Sequence, residues 1–428
     1  MFIRVLSFLL PLYNLRFNIG IEVVLVKVMP LLLLPFIFFR SGLHLKRRLK
    51  RVSFLAFALL LYMLLVTMWR YQISLDAAAL SRSVKTITQD PSIYMATQYL
   101  FWFFPILMIF ILQAFMVDQK KSSSYFTYFA YGLLFSSIFG ICLLASHNLL
   151  GIGIIDSFEV MLNRLGGLSG EPRHLGSFIV LVLIFCSVRW SNNLNIINAG
   201  SRLQLFLIGA LMLTISSSAI GGYLIFILLS LFNRLLGLRL NKKAVLISVI
   251  SFPFIFVLIL YTDFAANMAL RFSSFESLLY YLPKDFGIVW FLFSDFDYLL
   301  FGCGAGGVDT FLASQLWILP DSILRAPIFA ETGIDVTHVA ASGGLIRFLS
   351  DFGLVGMALL SYFVFSVINL SPIKQQSKTN LKLAFFCFPV LSTMSFVVFL
   401  YGIFVLSCTA SEDKSYLSSE SKPKLGVI

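Results

Sequence analysis

Long apolar runs separated by short polar connections make up most of this chain. The clearest runs, at 54–69, 99–117 and 244–261, are long enough as helices to cross a hydrocarbon layer of about 30 Å. In order, the apolar runs lie near 5–19, 21–39, 52–69, 93–117, 126–146, 175–188, 203–216, 220–233, 244–262, 341–369 and 383–408. This pattern predicts an all-α polytopic integral membrane protein in which residues 1–428 form a single membrane domain.

The number of spans depends on how two regions are interpreted. Residues 203–233 are predicted to form two short helices around the sequence SSSAIGG, because one helix of that length would measure about 46 Å. The last run, 383–408, forms either one span or a hairpin. The prediction is therefore about eleven or twelve transmembrane helices.

Composition excludes an ordinary soluble domain. Hydrophobic residues make up 59% of the chain and charged residues only 12%, whereas soluble proteins carry about 25% charged residues. We interpret the N-terminus as a retained first span, because it has no small-residue cleavage motif and a second apolar run follows at once. The 5 cysteines have no paired spacing, so neither disulfides nor a zinc site is predicted, and no cofactor is expected.

The chain has a net charge of +12, and its Lys and Arg residues are distributed unevenly between the two sets of predicted loops. With a cytoplasmic N-terminus, the inside loops hold 17 Lys and Arg in 57 residues, and the outside loops hold 8 in 129. Such an excess is typical of cytoplasmic loops. The implied partner is the lipid bilayer, with no role for nucleic acid.

Polar sequence is concentrated in one outside loop and in the tail. The loop, 263–340, has 78 residues and a net charge of −6, and its aromatic content predicts an ordered, partly buried segment. It contains the Gly-rich stretch LLFGCGAGGVDTF (299–311), which lacks the lysine and the strand–helix context of a nucleotide loop. We interpret this stretch as a tight turn where the backbone approaches a partner. Residues 411–428 form a polar C-terminal tail.

The first candidate site is the stretch LGGLSGEPRHLG (165–176), at the predicted outer start of the sixth span. The sequence places Glu171 near the helix cap and Arg173 and His174 in the first turn. Cations oppose the helix dipole at this end, which suits a site that holds an anion such as phosphate, and Arg164 could contribute. Contact with lipid headgroups explains Arg173 and His174 equally well.

The second candidate site is the stretch ETGIDVTHVAASGGLIRFLSDFGLVG (331–356). His338 precedes the tenth span and faces the predicted outside, where it is either a functional residue or a headgroup contact. Arg347 and Asp351 are four residues apart and share one helical face. Ionisable residues in an apolar span are costly unless they are paired or line a cavity. Mutual pairing that holds the helix in place is the alternative to a functional role.

Three landmarks together resemble a known family: NRLGGLSGEP before a span, LLFGCGAGGV in the large outer loop, and THVAASGGLIRFLSDFGLVG entering the next span. Their order is similar to that of the O-antigen polymerase (Wzy) and O-antigen ligase superfamily, which are bacterial inner-membrane glycosyltransferases of GT-C-like helical architecture. The Ser-rich turn SSSAIGG also matches, and the resemblance covers roughly residues 120–400.

The resemblance implies roles for particular residues. His338 falls where the family has its outer-face histidine, and Arg164 and Arg271 match arginines that bind the lipid pyrophosphate. Arg325 and Arg173 are further candidates for that task, with Glu171, His174, Arg347 and Asp351 in support. The chain departs from the family at Val339, where Asn is usual, and at Asp351, where Glu is usual.

The resulting hypothesis is a metal-independent polymerase in the bacterial inner membrane with its active site on the periplasmic side. It would join undecaprenyl-pyrophosphate-linked repeat units of O-antigen or a related surface polysaccharide, alongside a chain-length regulator and a repeat-unit flippase. An O-antigen ligase that uses the same residues, and a transporter or flippase for lipid-linked sugars, are the alternatives.

Overall fold

The computed structural model describes residues 2–12, 17–18, 22–23, 47–71, 91–115, 119–150, 165–169, 172–187, 201–236, 292, 295–307, 343–371 and 373–408. Eleven α-helices lie in these ranges: α1 Phe2–Leu9, α2 Arg47–Tyr71, α3 Pro91–Phe115, α4 Gln119–Leu150, α5 Pro172–Ser187, α6 Ser201–Leu213, α7 Ser217–Leu236, α8 Phe296–Phe301, α9 Gly344–Leu370, α10 Gln375–Phe385 and α11 Thr393–Cys408. The only strands within them, Phe17–Asn18 and Glu22–Val23, pair antiparallel.

Three of these helices contain segments long and apolar enough to cross a membrane: Val52–Tyr71 in α2, Tyr125–Ser146 in α4 and Gly344–Leu370, which is α9. Shorter apolar segments occur in α3, α5, α6, α7 and α11. Side chains such as Phe54, Phe57 and Met68 of α2 are apolar and exposed, as on a surface that faces hydrocarbon. The predicted helical class is confirmed, and the count of eleven or twelve spans remains a prediction.

Helices α2, α3, α4 and α5 alternate in direction. The end of α2 and the starts of α3, α5 and α9 lie at one end of the bundle, together with residues 165–169, 214–216, 302–307 and 386–392. We call this region the loop end. Tyr99 of α3 bonds the carbonyl of Leu60, and Met95 lies near Gly304, so α3 runs antiparallel to α2. The chain runs towards the loop end along α2 and α4, and away from it along α3, α5 and α9.

An aromatic core fills the middle of the bundle. The ring of Phe185 on α5 lies 4.7 Å from Phe126 on α4 and 6.1 Å from Phe399 on α11. Every residue of α5 from Leu175 to Phe185 is buried, which is typical of a helix surrounded by other helices.

The two short helices predicted in 203–233 are confirmed. Helix α6 ends at Leu213 and α7 begins at Ser217. Between them the Thr214 hydroxyl accepts a hydrogen bond from the Ser216 amide, and the Ser216 hydroxyl accepts one from Ala219 in the first turn of α7. Serine in this position caps the helix N-terminus, so the polar turn explains the division.

The first apolar run does not form one helix over 5–19, contrary to prediction. Helix α1 ends at Leu9, just before Pro11, and a strand follows at Phe17–Asn18. Proline lacks the amide donor that would continue a helix, which gives a physical reason for the early end.

The last apolar run is also not one helix over 383–408, and whether it crosses the membrane once or twice stays a prediction. Helix α10 ends at Phe385, residues 386–392 turn, and α11 follows. Pro389 lies in this turn, and residues before proline disfavour the helical region. The amide of Gly344 bonds the carbonyl of Leu391, and α11 then runs parallel to α9.

Candidate functional site

Helix α9 is broken at Gly353, and a loop from elsewhere in the chain completes the break. Gly353 has φ 65° and ψ −170°, which interrupts the helical hydrogen bonds of the preceding carbonyls. The amide of Cys303 bonds the Ser350 carbonyl at 2.9 Å, and Gly304 bonds that of Asp351 at 2.8 Å. The Tyr62 hydroxyl bonds the next carbonyl, that of Phe352, at 2.9 Å. Three freed carbonyls therefore have partners from outside the helix, as an apolar bundle requires.

Two glycines allow this close contact between the loop and α9. A Cβ on Gly302 would lie 2.5 Å from the Asp351 carbonyl oxygen, and one on Gly353 would lie 2.3 Å from that of Leu300. Both residues also have positive φ, which L side chains rarely adopt. The prediction that the Gly-rich stretch lets backbone approach a partner is confirmed for residues 302–307, which we call the glycine loop. Its partner is α9.

Asp351 joins the glycine loop to two helices through its side chain. Its Oδ1 accepts a hydrogen bond from the Gly306 amide at 3.2 Å, and its Oδ2 accepts one from Trp102 Nε1 on α3 at 3.0 Å. Arg347 Nε lies 3.3 Å from the same Oδ2, one helical turn away. Asp351 is 0% exposed and Arg347 6% exposed. The mutual pairing that the sequence left open is therefore observed, within a larger network.

Arg70, at the end of α2, bonds the other side of the glycine loop. It was not among the site residues predicted from the sequence. Its Nε donates to the Gly302 carbonyl at 2.8 Å, and its Nη1 lies 3.0 Å from Asp297 Oδ2. The guanidinium carbon lies 4.3 Å from the ring centres of both Trp69 and Tyr298, which is cation–π geometry. The signal in the sequence was an arginine that ends an apolar run directly after a tryptophan.

All six amides of the glycine loop have acceptors. Beyond the three bonds to α9, Gly302 bonds the Tyr298 carbonyl and Gly307 bonds that of Gly304. Ala305 donates to the Thr67 hydroxyl at 3.1 Å. Irregular backbone that is buried among apolar helices is stable only when its polar groups are paired in this way.

The loop thiol is poorly suited to react. Burial, and then the charge of Asp351, raise the pKa of Cys303 well above its ordinary value, so the neutral thiol persists at neutral pH. Burial likewise raises the pKa of the neighbouring Tyr298 phenol. The network around Asp351 can fix geometry, but its buried carboxylate is already occupied by donors and is not arranged to exchange a proton with substrate.

The first candidate stretch starts a helix as predicted. Pro172 is the first residue of α5, and Arg173 and His174 are half-buried in its first turn. Arg173 Nη2 lies 3.5 Å from the carbonyl oxygen of Val390, in the turn before α11. The arginine therefore reaches a protein neighbour at the loop end, and the anion-site and headgroup interpretations both stay predictions.

The remaining predicted site residues lie outside the described residues: the expected base His338, the arginines Arg164, Arg271 and Arg325, and Glu171. Of the nine predicted residues, the structure brings together Arg347 and Asp351, with Arg173 and His174 at the same end of the bundle. Among the described residues, no group of three or more His, Cys, Asp or Glu is arranged to hold a metal ion.

Comparisons with known proteins do not assign this chain to a family. No family model matches this chain, and no curated protein matches it. The fold and the candidate site define a helical protein with helices of membrane-spanning length and a loop inserted at a helix break.

Proposed function

We propose that this protein polymerises undecaprenyl-pyrophosphate-linked oligosaccharide repeat units at the periplasmic face of the bacterial inner membrane. The proposal rests on the three ordered sequence landmarks. One observation supports it most: the described parts of all three landmarks lie at the loop end. Residues 165–169 bond α6 there through Leu165, and the glycine loop bonds the start of α9 directly.

In the proposed reaction, a hydroxyl oxygen of the acceptor sugar attacks the anomeric carbon of a second lipid-linked glycan. The bond from that carbon to the pyrophosphate oxygen breaks, and the diphosphate leaves on its lipid. His338 takes the hydroxyl proton, because imidazole titrates nearest neutral pH. Arg164 and Arg271 stabilise the charge that develops on the leaving group, with Arg173 and Arg325 as further donors. This mechanism needs no metal.

The rival proposal of a transporter is less well supported by the helix break. Transporters use broken helices to build a site around a cavity near the membrane midplane. Here a buried ion pair lies beside the break in α9. The glycine loop fills the break and bonds the freed carbonyls of Ser350 and Asp351. A break filled by protein favours a fixed scaffold over passage of a substrate. A ligase would use the same residues with a different acceptor.

The test is the surface polysaccharide of a deletion strain complemented with wild type or His338→Ala. We expect the wild type to restore a ladder of long chains and His338→Ala to leave core capped by a single repeat unit. His44→Ala, in a loop predicted on the opposite side, is the matched control and should restore the ladder. Core without any glycan in the deletion strain would indicate the ligase, and a full ladder with His338→Ala would remove the proposed base.

Arg271→Ala extends the same experiment. Loss of polymer at normal protein level is expected, because a leaving diphosphate needs placed donors. Lys284→Ala changes a base in the same outer loop and should retain the ladder. Equal ladders from both variants would show that Arg271 does not have the proposed role.

A further inference from the structure

We infer that Asp351 is a positioning residue: its carboxylate holds the glycine loop in the break of α9 and so sets the geometry in which polymerisation takes place. The second half of this inference rests on the proposed function. The first half concerns the described residues alone and can be tested without any substrate.

The donors around Asp351 explain why a carboxylate is needed. They come from three elements: the Gly306 amide from the glycine loop, Trp102 Nε1 from α3 and Arg347 Nε from α9 itself. Two oxygens that only accept can serve all three donors. Hydrogen bonds to an ionised acceptor are also stronger than neutral ones.

The contacts of Asp351 differ from the backbone contacts beside it. The bonds from Cys303 and Gly304 to α9 carbonyls join backbone to backbone, so no side-chain substitution at 350 or 351 deletes them. The Asp351 carboxylate adds the bond to Gly306, near the far end of the loop. Without it, the loop keeps its two backbone bonds to α9 and the bond from Ala305 to Thr67, but loses the bond that joins Gly306 to α9.

The path of the chain on either side of the glycine loop shows what this attachment does. The chain leaves the glycine loop at Gly307 and re-enters the described structure at Gly343, one residue before α9 begins. Holding the loop against α9 therefore fixes the separation of these two points, between which residues 308–342 are attached. Asp351 acts through that separation and does not itself touch substrate.

A pair of substitutions separates this role from simple packing. Asp351→Asn keeps the shape but replaces one acceptor by a donor, so at least one buried donor loses its partner. Asp351→Glu keeps both acceptors but adds a methylene to a fully buried site. A packing role predicts that Asn is tolerated better than Glu. The positioning role predicts the reverse.

The readout is the native thiol of Cys303, which is 3% exposed in the glycine loop. The other four cysteines are replaced by alanine, and the full chain, purified in detergent, is labelled with a small maleimide. The buried thiol reacts from the opened loop, where neither burial nor Asp351 raises its pKa, so the labelling rate reports opening. We expect Asp351→Asn to label at least about 10-fold faster than the parent, because opening the loop costs less once a buried donor is unpaired. Asp351→Glu should stay within about threefold of the parent. Equal protection in all three proteins would overturn the inference.

Two further variants keep the test decisive if Asp351→Asn does not fold. Thr67→Val removes the acceptor of the Ala305 amide, with no change of charge, and should speed labelling about threefold. Ser350→Ala removes a fully buried hydroxyl beside Asp351 that bonds Arg347, not the loop, and should leave labelling unchanged. Faster labelling in Ser350→Ala than in Thr67→Val would contradict the assignment.

The same variants in the deletion strain test the functional half. We expect polymer length to follow thiol protection: Asp351→Glu restores long chains, and Asp351→Asn gives short chains at normal protein level. An exposed Cys303 with full-length polymer would overturn the positioning role and leave the proposed function intact. A wild type that restores no polymer would overturn the proposed function, while the thiol result would still decide whether Asp351 holds the loop.

Discussion

The middle of the bundle and its loop end are held together by different forces. Around Phe185 and Phe399 the contacts are aromatic rings and aliphatic side chains, which attract without strict direction. At the loop end, the glycine loop and α9 meet backbone to backbone, and Asp351 bonds donors from three elements. Each contact there depends on the position of a single polar atom.

This difference predicts opposite responses to substitution. An apolar core tolerates changes that keep volume, because neighbouring side chains can repack. A buried polar network does not, because one missing partner leaves a group that neither water nor lipid can satisfy. Small chemical changes at the loop end should therefore cost more than larger changes in the aromatic middle.

The largest effect is expected at the break itself. Gly353→Ala places a Cβ 2.3 Å from the Leu300 carbonyl oxygen, at a residue with φ 65°. We expect a loss of about 3–5 kcal/mol in the free energy of unfolding, from steric overlap and backbone strain together. Denaturant titration of the purified protein measures it.

Gly221→Ala provides the matched control. A Cβ there meets nothing within 4 Å, and the residue lies inside α7. Alanine is the better helix former by about 1 kcal/mol, so this variant should be as stable as wild type or more stable. Equal destabilisation by both substitutions would show that glycine flexibility, and not the docked loop, is what the chain requires.

A smaller effect is expected at the other side of the glycine loop. Arg70→Met removes the donors to the Gly302 carbonyl and to Asp297, while keeping a long apolar side chain. Asp297 is 48% exposed and can turn to solvent, but the buried carbonyl cannot. We expect a loss of about 2–3 kcal/mol in the free energy of unfolding. Arg202→Met on the exposed face of α6 should cost less than about 0.5 kcal/mol, and a similar loss there would argue against a specific role for Arg70.

The smallest effect is expected in the aromatic middle. Phe399→Leu removes a fully buried ring next to Phe185 and Phe388 but keeps an apolar side chain of similar reach. We expect a loss of less than about 1.5 kcal/mol in the free energy of unfolding, because rings around the site can adjust. If Phe399→Leu costs more than Arg70→Met, the contrast between the two regions is wrong.

The sequence predicts the middle of the molecule better than its loop end. Apolar runs identify α2, α4 and α9, and the distribution of Lys and Arg predicts which ends of these helices share one side of the membrane. Both signals are sums over many residues, so no single position decides them. The division of 203–233 also follows from a local signal, the polar turn before Ser217.

Errors occur where one residue interrupts an apolar run. Pro11 and Pro389 each lie in a run that hydropathy treats as continuous, and the helices end before them. The sequence suggested that the Gly-rich stretch meets a partner, but not that the partner is α9, because contacts between residues 45 or more positions apart have no local signature. Arg70 was missed for the same reason: its partners Gly302 and Asp297 lie more than 200 residues away.

The central claim is that the glycine loop is a fixed part of the helix bundle, seated in the break of α9. Hydrogen exchange of its amides tests this most directly, because Cys303, Gly304, Ala305 and Gly306 all donate to α9 or α2. We predict exchange at least about 1,000-fold slower than in an unstructured peptide, close to the rate in the middle of α9. Exchange of these four amides at the rate of an unstructured peptide, with α9 still protected, would contradict the account.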